Sequence, residues 1–228
     1  MSAIRPRAST ARKRAARPRA GDPRVRRTRA AALAAARTLF LRHGHGGTTM
    51  DDVAVEAGLT KRTLYNNFRD KDTLFRQMVD ETIGFAESFA RGLDEEWPRA
   101  TKANLAARLE ALGVRLALGI IRPEVVALRR MVIGASRDFP GIGHEYFDRA
   151  PGTVLRALAQ GFSTLSRRRI LRTRDAHSAA VQFAYLVAGA HLDQALMTGD
   201  LPAQGVIETT AREGVATFLS RYASSSAS

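Results

Sequence analysis

Residues 58–68 read GLTKRTLYNNF. On a helical wheel advancing about 100° per residue, Leu64 and Phe68 share one face as an i, i+4 pair. Arg62, Thr63 and Asn66 point the other way. Tyr65 and Asn67 fall on the flanks, and Lys61 projects from the N-terminal end. The segment is thus a short helix with apolar anchors behind and a cationic, amide-rich surface in front. A surface helix of any bundle shows the same split, so the neighbours must decide what lies against that surface.

Upstream, Thr49 is a natural N-cap and Asp52, three residues on, resembles the partner of a capping box. Asp51 and Asp52 also suit the positive end of a helix dipole. Val53, Ala54 and Ala57 make the buried side of this two-turn helix, which stops at Gly58. Leu59 then acts as an apolar plug, and Thr60 caps the helix Lys61–Asn67. Before them, a first helix is predicted over Val25–His43. Ala32, Leu33, Ala36, Leu39 and Phe40 form its apolar face, and Gly44, Gly46 and Gly47 end it. After them, Asp70 caps a fourth helix running from Lys71 past Phe85. Two short helices joined by a glycine turn, the second with a cationic outer face, make a helix-turn-helix. The side chains on that face suit a major groove. Arginine takes guanine O6 and N7 with both arms, asparagine takes adenine N6 and N7, and a threonine methyl touches thymine. The helix N-termini at Thr49 and at Asp70–Lys71 offer backbone N–H groups to phosphates.

Charge supports a polyanionic partner. The 228 residues carry a formal +14, of which residues 1–24 hold +7 and residues 25–75 hold +4. Such a field attracts nucleic acid or an anionic membrane surface. Residues 1–24 are Arg, Ala, Ser and Pro with almost no large apolar side chain, so a disordered basic arm is expected there. A solvated tail and a DNA-contacting arm both fit it. It lacks the apolar core of a secretory signal and the apolar stripe of a transit peptide. The chain has no cysteine, which removes disulfide and thiolate chemistry and suits a reducing cytoplasm. No apolar run approaches the ~18 residues of a membrane span, so no membrane partner is expected.

The longer stretch TTMDDVAVEAGLTKRTLYNNFRDKDTLF, Thr48–Phe75, resembles the N-terminal signature of the TetR family of bacterial transcriptional regulators. The likeness lies in the Thr-Thr start, the Ala-x-x-x-Gly turn, Thr-Leu-Tyr-x-x-Phe and Lys-Asp-x-Leu-Phe, and covers about residues 25–75. It implies DNA-facing positions at Thr49, Lys61, Arg62, Thr63, Tyr65, Asn66, Asn67 and Lys71. By resemblance, Tyr65 and Lys71 contact phosphates, while Arg62, Thr63 and Asn66 read bases. Asn67 departs from the histidine common in relatives, and Arg62 stands where the family is often small. Both departures bear on specificity. Read on their own, Tyr65 could also pack on the first helix, and Lys71 could be a solvated charge.

The expected fold is all-α. A three-helix DNA-binding domain (25–75) precedes an all-helical regulatory and dimerisation domain (76–228). Amphipathic segments are predicted over Pro98–Ile121, Pro123–Asp138, Gly141–Arg149, Gly152–Ser166, Asp175–Thr198 and Ala203–Tyr222. The family implies a homodimer, and Asp175–Thr198 and Ala203–Tyr222 are the segments expected to form it. One stripe is Val181, Ala184, Tyr185, Ala188, His191, Leu192 and Ala195; the other is Ile207, Ala211, Gly214, Phe218 and Tyr222. These stripes pack either on a symmetry mate or on their own core. Trp97, Phe139, Tyr146 and Phe162 are candidates to line a small-molecule pocket. No charged residue stands out as an anchor, so an effector is expected to be apolar or weakly polar.

The five histidines lack a ligand constellation, so neither metal nor cofactor is expected. Carboxylate pairs, phosphate-binding glycine loops and Ser/His/Asp arrangements with readable context are not visible, which argues against an enzyme. The leading expectation is a cytoplasmic, nucleoid-associated repressor, released from a palindromic operator by a small effector. The alternative is a basic protein that coats DNA without sequence choice.

Overall fold

The computed structural model describes residues 23–93, 96–137 and 139–224, with only the backbone described at Glu81, Thr82 and Phe85. The basic arm expected at 1–24 therefore lies outside the described residues, except Pro23 and Arg24, which open the first helix. The described residues form ten α-helices: α1 (Pro23–His43), α2 (Met50–Glu56), α3 (Lys61–Asn67), α4 (Lys71–Leu93), α5 (Leu105–Ile120), α6 (Pro123–Ala135), α7 (Gly141–Arg149), α8 (Pro151–Arg167), α9 (Ala176–Thr198) and α10 (Gln204–Tyr222). Among the described residues there is no β-strand, only an isolated bridge between Leu171 and Ala223. No described helix is long and apolar enough to cross a membrane.

The boundaries follow local chemistry. Pro23, Pro123 and Pro151 open α1, α6 and α8, positions where a missing N–H costs nothing. Asp175 caps α9 through its carboxylate, which accepts from the backbone N–H groups of His177 and Ser178. The long helix expected over Pro98–Ile121 is instead broken. Trp97–Arg99 forms a single 3-10 turn, and α5 starts only at Leu105. Arg168 explains part of the break. Its guanidinium donates to the carbonyl oxygens of Trp97 and Ala100, both at 2.8 Å, fixing that turn against the end of α8. The sequence reads Arg167–Arg169 as a solvated helix end; Arg168 is exposed yet holds two backbone acceptors.

Two apolar clusters form. The C-terminal one takes α5, α8, α9, α10 and the end of α4. Phe162 lies at its centre, fully buried, its ring 5.7 Å from Trp97, 5.5 Å from Phe183 and 5.2 Å from Phe218. Helices α9 and α10 come unusually close where a Cβ on Gly214 would stand 2.3 Å from the Leu186 carbonyl oxygen. The N-terminal cluster joins α1–α3 to the first half of α4, and it also takes Leu128, Met131, Val132 and Ala135 of α6 and Ile142 and Tyr146 of α7. The core of the DNA-binding unit thus extends past residue 75 into the second half of the chain. Ion pairs reinforce this junction: Arg76 with Glu145, and Arg149 with Asp80, tie α4 to α7.

Candidate nucleic-acid interface

Each helix of the helix-turn-helix starts at a threonine cap. Thr49 Oγ1 and its backbone N–H both donate to Asp52 Oδ2, at 2.6 and 2.9 Å, and Asp52 N–H returns to Thr49 Oγ1 at 3.2 Å. These hydrogen bonds from Thr49, side chain first, hold the Asp52 carboxyl below the ordinary aspartate range. Between α2 and α3 the chain turns at Gly58, whose φ of +63° favours a residue without Cβ. Thr60 Oγ1 then accepts from Thr63 N–H at 3.1 Å and starts α3.

Leu64 and Phe68 are almost entirely buried, at 0% and 1% exposure. They seat α3 on α1, where the Arg29 guanidinium lies 4.8 Å from the Phe68 ring centroid and donates to the Asn67 carbonyl oxygen. Burying such side chains contributes roughly 1.5–3 kcal/mol each, enough to fix which way the helix faces. The opposite face is exposed at Lys61, Arg62, Tyr65 and Asn66. Arg62, Tyr65 and Asn66 make no hydrogen bond or ion pair with the described residues, so three adjacent donors stand free in solvent.

The remaining candidates are already engaged. Lys61 Nζ sits 2.5 Å from Asp51 Oδ2 on α2, and that hydrogen bond raises its pKa. The pair is exposed, so it contributes little stability and yields readily to a competing phosphate. Thr63 shares its hydroxyl with Thr60 at 2.8 Å and is half-buried. Asn67 folds back, its Nδ2 donating to the Thr63 carbonyl at 2.8 Å. Lys71 Nζ donates to the His45 carbonyl at 2.7 Å. Thr49 is exposed at the α2 N-terminus.

The pocket candidates separate. A chamber of about 580 Å³ opens between α4, α5, α6, α7, α8 and α9. Tyr146 lines it. Trp97 and Phe162 do not; they pack on each other inside the C-terminal core. Phe139 does not line it either; it lies under the Arg76 guanidinium at 4.5 Å and stacks on His45 at 6.2 Å. The residues missed by sequence reasoning include Arg129, on the chamber side of α6 with Val125, Val132 and Ile133. An arginine placed within an apolar i, i+4, i+7 stripe is a readable signal, but beside Arg130 it passes for ordinary helix surface.

Neither predicted dimer stripe faces outward as a whole. Ile207, Ala211, Gly214, Phe218 and Tyr222 are all buried within their own chain, against α5 and α9. On α9, Ala188 and Ala195 are buried, while Val181, Ala184, Tyr185 and Leu192 line the chamber. His191 exchanges a 2.9 Å hydrogen bond with Thr210. The large apolar side chains that α9 and α10 leave exposed are Tyr185, Leu186, Met197 and Val206.

A helix-turn-helix with a free cationic face, built onto a helical body that carries an open chamber, defines a DNA-binding regulator. Residues 32–78 match the family model for bacterial regulatory proteins of the tetR family, and residues 107–224 match that for the C-terminal domain of AefR-like transcriptional repressors. The chain belongs to the TetR family of transcriptional regulators. A TetR-family regulator from Mesorhizobium loti is 26% identical, with a TM-score of 0.77 over 89% of this chain and 100% of that one. A protein described as flavonoid-responsive regulator FrrA is 27% identical, with a TM-score of 0.66 over 88% and 99%. A TetR regulator from Agrobacterium tumefaciens is 25% identical, with a TM-score of 0.65 over 89% and 96%. No curated protein matches the chain.

Proposed function

We propose that the protein is a cytoplasmic, nucleoid-associated repressor that binds a palindromic operator as a homodimer and leaves it when a small molecule fills the chamber. The exposed, unpartnered Arg62, Tyr65 and Asn66 on a helix anchored by Leu64 and Phe68 carry this reading. In the major groove Arg62 and Asn66 read bases, with Thr63 beside them, while Tyr65, Lys61 and Lys71 contact phosphates. Thr49 presents the α2 N-terminus to the backbone, and Asn67 supports the helix from its flank.

The dimer forms through the outer faces of α9 and α10. Helix α9 is apolar on nearly every side, and Leu186 and Met197, eleven residues apart, share the face that its own core leaves open. A two-fold axis there places the two α3 helices on successive turns of one duplex face, about 34 Å apart.

Coupling passes through a shared wall. Val132, Tyr146 and Ala150 line the chamber and also belong to the core that holds the helix-turn-helix. Ala86 of α4 lines the chamber and packs against both clusters. An effector that shifts α6 and α7 must therefore move the base on which α1 and α4 rest. It changes operator affinity only by its differential affinity for the two arrangements. FrrA, which is similar in fold and sequence, is described as responding to flavonoids, and this supports a small-molecule trigger.

The test is selection of duplexes from a random library, followed by titration of the selected site and a scrambled duplex across salt. A repressor of this kind yields a palindrome and a large affinity ratio. Equal affinities with a steep salt slope instead mark sequence-independent coating of DNA.

A further inference from the structure

We propose that the chamber takes an organic anion, an apolar body bearing one carboxylate, sulfonate or acidic phenol, and that Arg129 is its anchor. The proposal rests on the reading of the chamber as the effector site. Arg129 lies on the stripe of α6 that lines the chamber, one turn after Val125 and one turn before Val132 and Ile133. Among the described residues its buried Nε has no hydrogen-bond acceptor, and no carboxylate lies within ion-pair distance of its guanidinium. The other lining arginine is committed: Arg156 Nη2 donates to the Asp148 carbonyl at 2.7 Å and to the Thr153 hydroxyl at 2.9 Å.

A guanidinium cannot shed its charge to escape this position. Buried N–H groups without an acceptor are costly, and an acceptor arriving with a ligand removes that cost. Neutral acceptors satisfy the hydrogen bond alone; an anion also compensates the charge, and its planar fork suits a carboxylate bidentately. Most of the remaining lining, including Phe89, Leu116, Val154 and Leu192, is apolar and fits a hydrocarbon or aromatic body; its polar members are Ser136, Tyr146, His177, Tyr185 and Asp148, the last exposed to solvent.

The full chain is titrated with two fluorescent probes of nearly equal shape: 1-anilinonaphthalene-8-sulfonate, an anion, and N-phenyl-1-naphthylamine, its uncharged counterpart. The expected result is tenfold or more tighter binding of the sulfonate, the scale of a charge-assisted hydrogen bond. Arg129→Met should abolish that preference and leave the neutral probe's affinity within about twofold, the neutral probe reporting that the chamber is intact. Arg129→Gln gives the same readout should the Met variant not fold. Ala184→Trp, which fills the chamber, should eliminate both probes and so exclude binding to surface arginines. Equal affinities in the unaltered chain, or a preference that survives loss of Arg129, would overturn the anion assignment while the chamber stands. Binding of both probes undiminished by Ala184→Trp would overturn the chamber as a ligand site, and the anchor with it.

Discussion

Lys71 Nζ donates to the carbonyl oxygen of His45 across 26 positions of chain, at 2.7 Å. This bond ties the N-terminus of α4 to the loop after α1, so the lysine assigned to phosphate contact already has a structural partner. A backbone phosphate must draw the ammonium away from that carbonyl or share it. Lys71→Met should weaken binding to all duplexes alike and lower the salt slope, log K against log salt, by about 1. Titration at four salt concentrations reads this directly; an unchanged slope would confine Lys71 to bracing the loop.

Leu64 should behave differently from its exposed neighbours. Removing a fully buried leucine side chain costs about 2–5 kcal/mol, and Leu64 is 0% exposed. Leu64→Ala should shift the urea unfolding midpoint strongly and lose DNA binding as a consequence. Arg62→Ala should leave the same midpoint nearly unmoved.

Gly214 controls how closely α10 approaches α9. A Cβ there would meet backbone, the Leu186 oxygen at 2.3 Å and carbon at 2.6 Å, which cannot rotate aside. Gly214→Ala should force the helices apart and destabilise the protein by roughly 1–3 kcal/mol, the usual cost of overpacking. A thermal melt of the variant tests it, and an unchanged Tm would mean the pair has slack.

Acid should act on the helix caps. Hydrogen bonds from Thr49 lower the pKa of Asp52, those from Thr73 lower that of Asp70, and those from Ser178 and then His177 lower that of Asp175. A carboxylate depressed in the folded state contributes fully above its unfolded pKa and loses that contribution as pH falls through the folded value. The caps should therefore hold their stabilisation from neutral pH to about pH 5 and lose it below about pH 4. Melts from pH 7 to pH 3 should show that decline, and it should be shallower in Asp175→Asn.

The DNA-binding half was legible because its signals are local. Thr49 with Asp52, Gly58, Thr60 and the Leu64–Phe68 pair each fix one feature within a turn or two of helix, and each appears where the residues indicate. Among the later helices, Pro123 opens α6 and Asp175 caps α9 where the sequence places them. The chamber was not legible, because an aromatic in a core and one beside a cavity share the same helical spacing. Which helices pack around each decides that Phe162 lies in a core and Tyr146 beside the chamber. The outward face of α10 was hidden for a related reason: a stripe of small residues serves close packing inside a chain as well as between chains, and Gly214 meets Leu186 of its own chain. Arg129 and Arg130 are adjacent and chemically identical, yet only the first lines the chamber, a distinction made by tertiary packing alone.

The central claim is that the outer face of α3 reads sequence. Arg62→Ala combined with Asn66→Ala should be measured by fluorescence anisotropy against a selected palindromic duplex and against a scrambled one. The expected result is a loss of at least tenfold on the palindrome, with scrambled-duplex binding reduced far less and the melt unchanged. Undiminished discrimination between the two duplexes would contradict it.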